Sequence, residues 1–358
     1  MSVEPLTVII GHTGAVGATV VRMLAHRNDI RIVGALAHGE DKVGRDLGDI
    51  VGVGHLGVTA TADVDSLIAL RADCLMWHGA VWHPDVIGRF LAAGTNVYSG
   101  YGAWFPLGNS DDRTIADACA AGGSTYVAGG NIPGLISDVL PLFLTGFVGN
   151  LKRIRARQSN FIAGYPSALQ LRRGLGIGIP PGAQSSDTAA VDTQMSWAIK
   201  QSAAMVATGL GIEMTDFRLV VKEYALARED TVLRPSGLIV KKGTSAGVRW
   251  TWAALHGDHP FFEVTNEQVV LLGLGTGWRE SIEEPHWTVD VHGDPDLHCA
   301  VSLPVAGEGQ TAPSTVLNAA RAINFLPVVV AAGPGIKTVL DLPAPRAETN
   351  AVRVGSVT

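Results

Sequence analysis

Seventeen residues near the start of the chain restrict its fold more than any other stretch. Leu6-Thr7-Val8-Ile9-Ile10 is an apolar run that reads as a buried strand. Gly11-His12-Thr13-Gly14-Ala15-Val16-Gly17 follows, with glycines at three-residue spacing. Good helix formers then continue to Leu24, with Val16, Val20, Met23 and Leu24 on one stripe. Strand, glycine turn and helix in that order begin a mononucleotide-binding unit. Gly11 permits the turn, Gly14 lets backbone approach a pyrophosphate, and Gly17 lets helix and strand pack closely. The free amides of the helix start, with His12, Thr13, Ala15 and Val16 around them, then face the anion. The competing reading is a merely tight strand-to-helix turn.

The same rhythm continues downstream. Ile30–Leu36 is a second apolar run at βαβ distance. At the end of such a strand a carboxylate holds a free ribose 2′-hydroxyl, whereas basic groups accept a 2′-phosphate. Here Leu36-Ala37-His38-Gly39 precedes any acid, and Lys42 and Arg45 follow Glu40 and Asp41. His38 and Lys42 are therefore the expected contacts and NADP the expected cofactor. NAD stays open, as does a plain solvated loop of mixed charge.

Strands at 73–78, 96–99 and 125–128 alternate with helices near 66–70, 85–93 and 111–121. That alternation predicts an α/β fold, a Rossmann-type doubly wound parallel sheet with helices on both faces. Ligands bind outside the carboxyl edge of such a sheet, so His78 and residues 100–106 are positional candidates. Trp77, Trp82, Trp104 and Phe105 gather at the same strand ends. They read equally as walls of an apolar substrate pocket or as packing beneath the loops.

At 358 residues, 47% of them hydrophobic and 17% charged, the chain is long enough for two lobes with substantial cores. A net charge of −6 with no basic stripe argues against a nucleic-acid partner. Cys74, Cys119 and Cys299 are odd in number and far apart, which fits a reduced, cytoplasmic protein. No signal peptide or membrane span is expected, since the most apolar runs fall short of about twenty residues. No metal is expected either.

Past Asn150 the pattern shifts. Lys152, Arg153, Arg155 and Arg157 alternate with Leu151, Ile154 and Ala156, as on an antiparallel strand with one wet face. Residues 172–186 are rich in glycine and proline and read as a lid or a simple connector. Asp187 can cap a helix over 188–208 whose stripe is Val191, Met195, Ile199, Val206 and Leu210. From 217 to 303 the pattern is mostly β, followed by a helix over 311–324 and a punctuated tail to 342. The expected division is a dinucleotide-binding domain at 1–149, an α+β substrate and dimerisation domain at 150–310 with an open, mostly antiparallel sheet, and a tail at 344–358.

Three stretches carry a resemblance: Gly11 to Gly17; Gly130-Asn131-Ile132-Pro133-Gly134-Leu135-Ile136-Ser137-Asp138; and Asn324-Phe325-Leu326-Pro327 running on to Asp341-Leu342-Pro343. The chain resembles the dihydrodipicolinate-reductase-like family that includes 2,4-diaminopentanoate dehydrogenase and the native amine dehydrogenases. The resemblance implies a Rossmann lobe completed by 311–343, a second α/β lobe and a homodimer. It also implies NAD(P)-linked interconversion of an amine with a ketone or aldehyde plus ammonia. Gly11, Gly14 and Gly17 would contact the pyrophosphate, Asn131 and Pro133 would lie near the nicotinamide, and Asn324 would close that pocket.

The chain departs from the family where amine dehydrogenases carry a glutamate. After Asn96–Ser99 it reads Gly100-Tyr101-Gly102-Ala103-Trp104-Phe105-Pro106, with no carboxylate. The paired histidines and lysine of true dihydrodipicolinate reductases are also missing. General acid–base help is worth ~10²–10⁴-fold, so another donor is required. Tyr101 is the first candidate, with His78, Tyr98 and Tyr165 behind it, although strand-end tyrosines also serve as packing. The leading expectation is hydride transfer from NADPH to a C=N or C=O bond of a small, mostly apolar molecule. Alternatives are a carbonyl reductase indifferent to ammonia and an inactive cofactor-binding sensor.

Overall fold

The computed structural model describes residues 4–79, 81–165, 167–183, 186–304 and 311–347. The chain begins with β1 (Leu6–Gly11), α1 (Ala15–Leu24), β2 (Ile30–Leu36), α2 (Leu47–Val51), β3 (Ala60–Thr61) and α3 (Val64–Ile68). It continues with β4 (Cys74–Trp77), α4 (Pro84–Ala92), β5 (Asn96–Ser99), α5 (Ser110–Gly122) and β6 (Thr125–Ala128). A π-turn at Leu135–Val139 leads to α6 (Leu140–Thr145), β7 (Gly149–Phe161), a second π-turn at Gln170–Gly174 and α7 (Ser186–Leu210). Then come β8 (Asp216–Leu226), β9 (Thr231–Leu233), β10 (Leu238–Val240), β11 (Ser245–His256), β12 (His259–Val269), β13 (Trp287–Asp294) and β14 (Leu297–Val301). The last elements are α8 (Pro313–Ala331) and β15 (Gly335–Lys337).

The elements fall into two compact units. The first joins residues up to Asn131 with those from Thr311 onward, around a seven-stranded sheet of order β15-β6-β5-β4-β1-β2-β3. Every neighbouring pair in it is parallel. Parallel strands covered on both faces need unbroken apolar runs, and Val8, Ile9, Ile10, Leu75 and Met76 are fully buried. α1 and α8 pack on each other, as do α4 and α5. The Rossmann-type sheet is as the alternation predicts, and α8 with β15 completes it.

Among the described residues α8 alone is long and apolar enough to cross a membrane. Its apolar side chains Ala322, Phe325, Leu326 and Val329 are buried in the core that also holds Val20, Tyr98 and Val127. That packing corrects one expectation: the helix does not end at 324 but runs through Pro327. Burial of the flanking apolar residues outweighs the missing proline amide.

The second unit begins at Ile132. Its six-stranded sheet runs β14-β13-β7-β12-β11-β8 and is antiparallel except where β7 meets β12. Ile154 and Ala156 are buried while Arg155 is exposed, giving β7 the expected wet face. The contact boundary therefore falls at 131/132 rather than at 149/150. The π-turn Leu135–Val139 and α6 pack on α7, β7 and β13, all within the second unit. Residues 184 and 185 of the glycine-rich segment, and 348–358 of the expected tail, lie outside the described residues.

Candidate functional site

In the first unit the strand order reverses between β1 and β4. This is the switch point at which open α/β sheets bind ligands. His12 follows β1 and His78 follows β4, and His78 N donates to Gly11 O at 2.8 Å. The turn between β1 and α1 has the form an anion cradle needs. A Cβ at Gly17 would sit 2.1 Å from His12 O, so the helix start is pressed onto the turn. A Cβ at Gly14 would meet nothing within 4 Å, so that backbone is open to approach. Aspartates cap α2 and α3 through their side chains, whereas Gly14 caps α1 without any side-chain hydrogen bond. The first-turn amides of Ala15, Val16 and Gly17 thus stay available for an anion. Thr13 Oγ1 and His12 Nε2 are shielded from water and have no partner among the described residues. These residues fit a dinucleotide pyrophosphate.

Histidines gather beside the cradle. The His12 ring lies 4.9 Å from His38 and 4.5 Å, edge-on, from Trp77. Burial, then electrostatic interaction with His38, His83 and Lys42, pushes the His12 imidazole down to about 4. Burial, then His12, pushes His78 down to about 4 as well. His78 keeps some exposed surface, but both its ring nitrogens are shielded and have no hydrogen-bond partner among the described residues. Each imidazole is neutral near pH 7 and offers one N–H donor and one acceptor. His38 is exposed and Lys42 half-buried, at the end of β2. Trp77 has no exposed surface and forms the floor beneath the turn, within 3.3 Å of a Cβ at Gly11.

After β5 the loop is pinned from several sides. Ser99 Oγ donates to Tyr101 O at 2.6 Å and accepts from Tyr101 N at 3.1 Å. Tyr126 Oη donates to Gly102 O at 2.8 Å. Gly102 has φ +87° and its missing side chain makes room for the Trp82 ring, 2.1 Å from where a Cβ would stand. Trp82 is held in turn by Asp111, its Nε1 donating to Oδ2 at 2.8 Å. Tyr101 packs edge-on to Trp104 at 5.4 Å; Trp104 is buried, whereas Tyr101 and Phe105 are half-buried. Tyr98 donates to Gly129 O at 2.8 Å, and burial pushes its phenol up to about 12 despite Arg321 nearby. Its hydroxyl braces the end of β6.

Asn131, the last residue of the first unit, donates through Nδ2 to Ser314 O at 2.7 Å, tying the end of β6 to α8. Asn324 is half-buried on α8. Pro133 and Tyr165 belong to the second unit; Pro133 follows a cis peptide and is buried, and Tyr165 is exposed. The sequence reading missed Asp138, which is almost fully buried and accepts from Gly134 N at 2.7 Å and Ser202 Oγ at 2.9 Å. An aspartate four residues past a Pro-Gly turn was the available signal. Cys74 and Cys119 are buried, and desolvation raises their thiols to about 12 and about 11, so neither is a nucleophile. Asp46, Asp49 and His55 have ligand atoms within 4.8 Å of one another, but Asp46 is already bonded to the amides of Gly48, Asp49, Leu56 and Val58.

A doubly wound sheet with an open glycine cradle, joined to a second unit on a mixed sheet, defines a nucleotide-binding oxidoreductase fold. Residues 135–356 match the family model described as 2,4-diaminopentanoate dehydrogenase C-terminal domain, and residues 7–76 match the dihydrodipicolinate reductase N-terminus. The first match spans more than half of the chain, and the chain belongs to that family. It is 24% identical over 355 residues to an amine dehydrogenase of Streptomyces virginiae, covering 94% of this chain and 96% of that protein. It is likewise 24% identical over 363 residues to a 2,4-diaminopentanoate dehydrogenase of Acetoanaerobium sticklandii, covering 96% and 95%. The solved structure of an amine dehydrogenase from Mycobacterium smegmatis is similar in fold, with a TM-score of 0.72 at 20% identity, covering 96% of this chain and 97% of that one.

Proposed function

We propose that the protein is an NADP-preferring oxidoreductase that reduces the C=N bond formed from a small, mostly apolar ketone or aldehyde and ammonia, and oxidises the amine in reverse. The observation that carries this reading is the cradle after β1, open at Gly14 and closed at Gly17, in a chain of the diaminopentanoate dehydrogenase family. Hydride is the chemistry a bound nicotinamide cofactor supplies. The amides of residues 14–17 and Thr13 hold the pyrophosphate, and Gly11 permits the turn. His38 and Lys42 receive a 2′-phosphate, and Asn131 and Asn324 orient the nicotinamide.

Tyr101 delivers the proton, because the loop holding it carries no carboxylate and His78 is neutral near pH 7. His78 serves as a fixed N–H donor. Trp82, Trp104 and Phe105 keep water from the reacting bond. Tyr101→Phe is expected to lower kcat by ~10²–10⁴-fold with little change in cofactor affinity. A homodimer in a reduced cytoplasm is part of the same proposal, and light scattering on the purified protein tests the dimer. The missing carboxylate favours one second reading, direct reduction of a carbonyl.

Consumption of NADPH and of NADH is to be measured with simple ketones and aldehydes, with and without ammonium. Ammonium-dependent consumption, faster with NADPH, supports the proposal. Consumption indifferent to ammonium supports the second reading, and cofactor binding without turnover of any substrate overturns both.

A further inference from the structure

Three imidazoles from three segments gather around the Trp77 indole in the first unit. His12 follows β1, His38 follows β2 and His83 stands just before α4. The His12 ring lies 4.9 Å from His38 and 4.5 Å from Trp77, and the His83 ring 6.0 Å from Trp77. His12 is held there in a strained backbone. Its φ of +72° is left-handed, a conformation that glycine or asparagine adopts more easily. A Cβ at Gly79 would come 2.8 Å from His12 Cδ2 and 3.0 Å from the Trp77 ring, so the absent side chain makes room for both. Strain of this kind clusters where a site uses the side chain.

The cluster collects basic groups without an acid to answer them. The groups that act on the His12 ring are His38, His83 and the half-buried Lys42, and His12 acts in turn on His78 at the end of β4. Glu40, Asp41 and Asp85, the acids of these segments, are exposed, and among the described residues none pairs with an imidazole of the cluster. Burial and these neighbours hold the His12 ring neutral, with its pKa down at about 4. An anion seated among the rings would reverse that balance, because an opposite charge within ~4–6 Å favours the protonated form.

We propose that His12 and His83 are specificity-determining residues of the 2′-phosphate subsite, taking up protons when NADPH binds and staying neutral when NADH binds. The inference rests on the reading of His38 and Lys42 as 2′-phosphate contacts. A phosphate monoester carries nearly two negative charges above its second pKa near 6. Imidazole is the side chain whose charge changes closest to neutral pH. Uptake of protons on binding makes NADPH affinity rise as pH falls, whereas NADH, which has a plain 2′-hydroxyl, lacks that dependence.

Calorimetric titration of the full-length protein with NADPH and with NADH, in buffers of different ionisation enthalpy, counts the protons exchanged. Near pH 7.5 NADPH is expected to bring in about half a proton or more, and its affinity to rise about threefold per pH unit between pH 8 and 6.5. NADH is expected to show neither effect. His12→Asn, which suits the left-handed backbone, and His83→Asn, at an exposed position, should each cut the uptake at least twofold and weaken NADPH several-fold. NADH affinity should be unchanged in both, which shows that they fold. Tighter binding of NADPH than of NADH without proton uptake overturns the proposal and leaves the NADP reading standing. No preference for NADPH overturns both. Equal uptake with NADH, or full uptake retained in either variant, also overturns the proposal.

Discussion

Two glycines three residues apart make opposite demands. Gly17 has no space for a side chain, because His12 O would lie 2.1 Å from its Cβ, whereas Gly14 has nothing within 4 Å. Gly17→Ala should therefore displace the turn and lower the melting temperature. Gly14→Val should melt like the native protein yet bind NADPH at least tenfold more weakly. Equal melting and equal NADPH affinity in the two variants would contradict this assignment. His78 makes a different demand, one that depends on pH. Its folded pKa of about 4 lies below the 6.5 of the free side chain, so the unfolded chain takes up the proton first as pH falls. The stability tied to the neutral ring is complete above pH ~6.5 and is lost as pH falls toward 4, on the order of 3 kcal/mol. His78→Gln should show a flatter fall of urea-unfolding free energy between pH 7 and 4.5, and an unchanged slope would rule out that origin.

At the scale of elements, buried charge organises the second unit. Glu267 on β12 is fully buried and accepts from Ser159 Oγ at 2.6 Å, Arg157 Nη2 at 3.1 Å and Arg279 N at 3.2 Å. The buried Arg279 guanidinium donates to the carbonyls of Ser159, Ile282, Glu284 and Pro285, fixing the loop before β13. Removing one partner from such an arrangement costs about 3–5 kcal/mol. Arg279→Met should lower unfolding stability by that order, and a change below about 1 kcal/mol would show that the loop holds itself. Local pattern made some elements readable and left others hidden. Ile30–Leu36, Asn96–Ser99 and Thr125–Ala128 were legible to the residue because apolar runs between breakers mark buried parallel strands. β15, a three-residue strand in a glycine- and proline-rich stretch, has no such mark and exists because it pairs with β6. α8 looked finished at Asn324 because proline usually stops a helix, and tertiary burial overrode that signal. The glycine cradle was legible because backbone space is written in glycine positions. Arg279 and Asp138 were not, because their partners are distant backbone groups that no spacing rule reveals.

The molecule as a whole combines a nucleotide cradle in one unit with membership of a family whose named relatives include amine dehydrogenases. The loop after β5 carries no carboxylate, and in the proposed function Tyr101 moves the proton in its place. Hydride transfer to carbon bearing nitrogen is the central claim, and isotopic labelling reads it directly. The purified protein would be incubated with cyclohexanone, ammonium and NADPH deuterated at C4 of the nicotinamide on each face in turn, and the products analysed by mass spectrometry. The expected product is cyclohexylamine carrying one deuterium from one face, formed when ammonium is present. Deuterated cyclohexanol formed equally without ammonium, or no deuterium in any product, would contradict it.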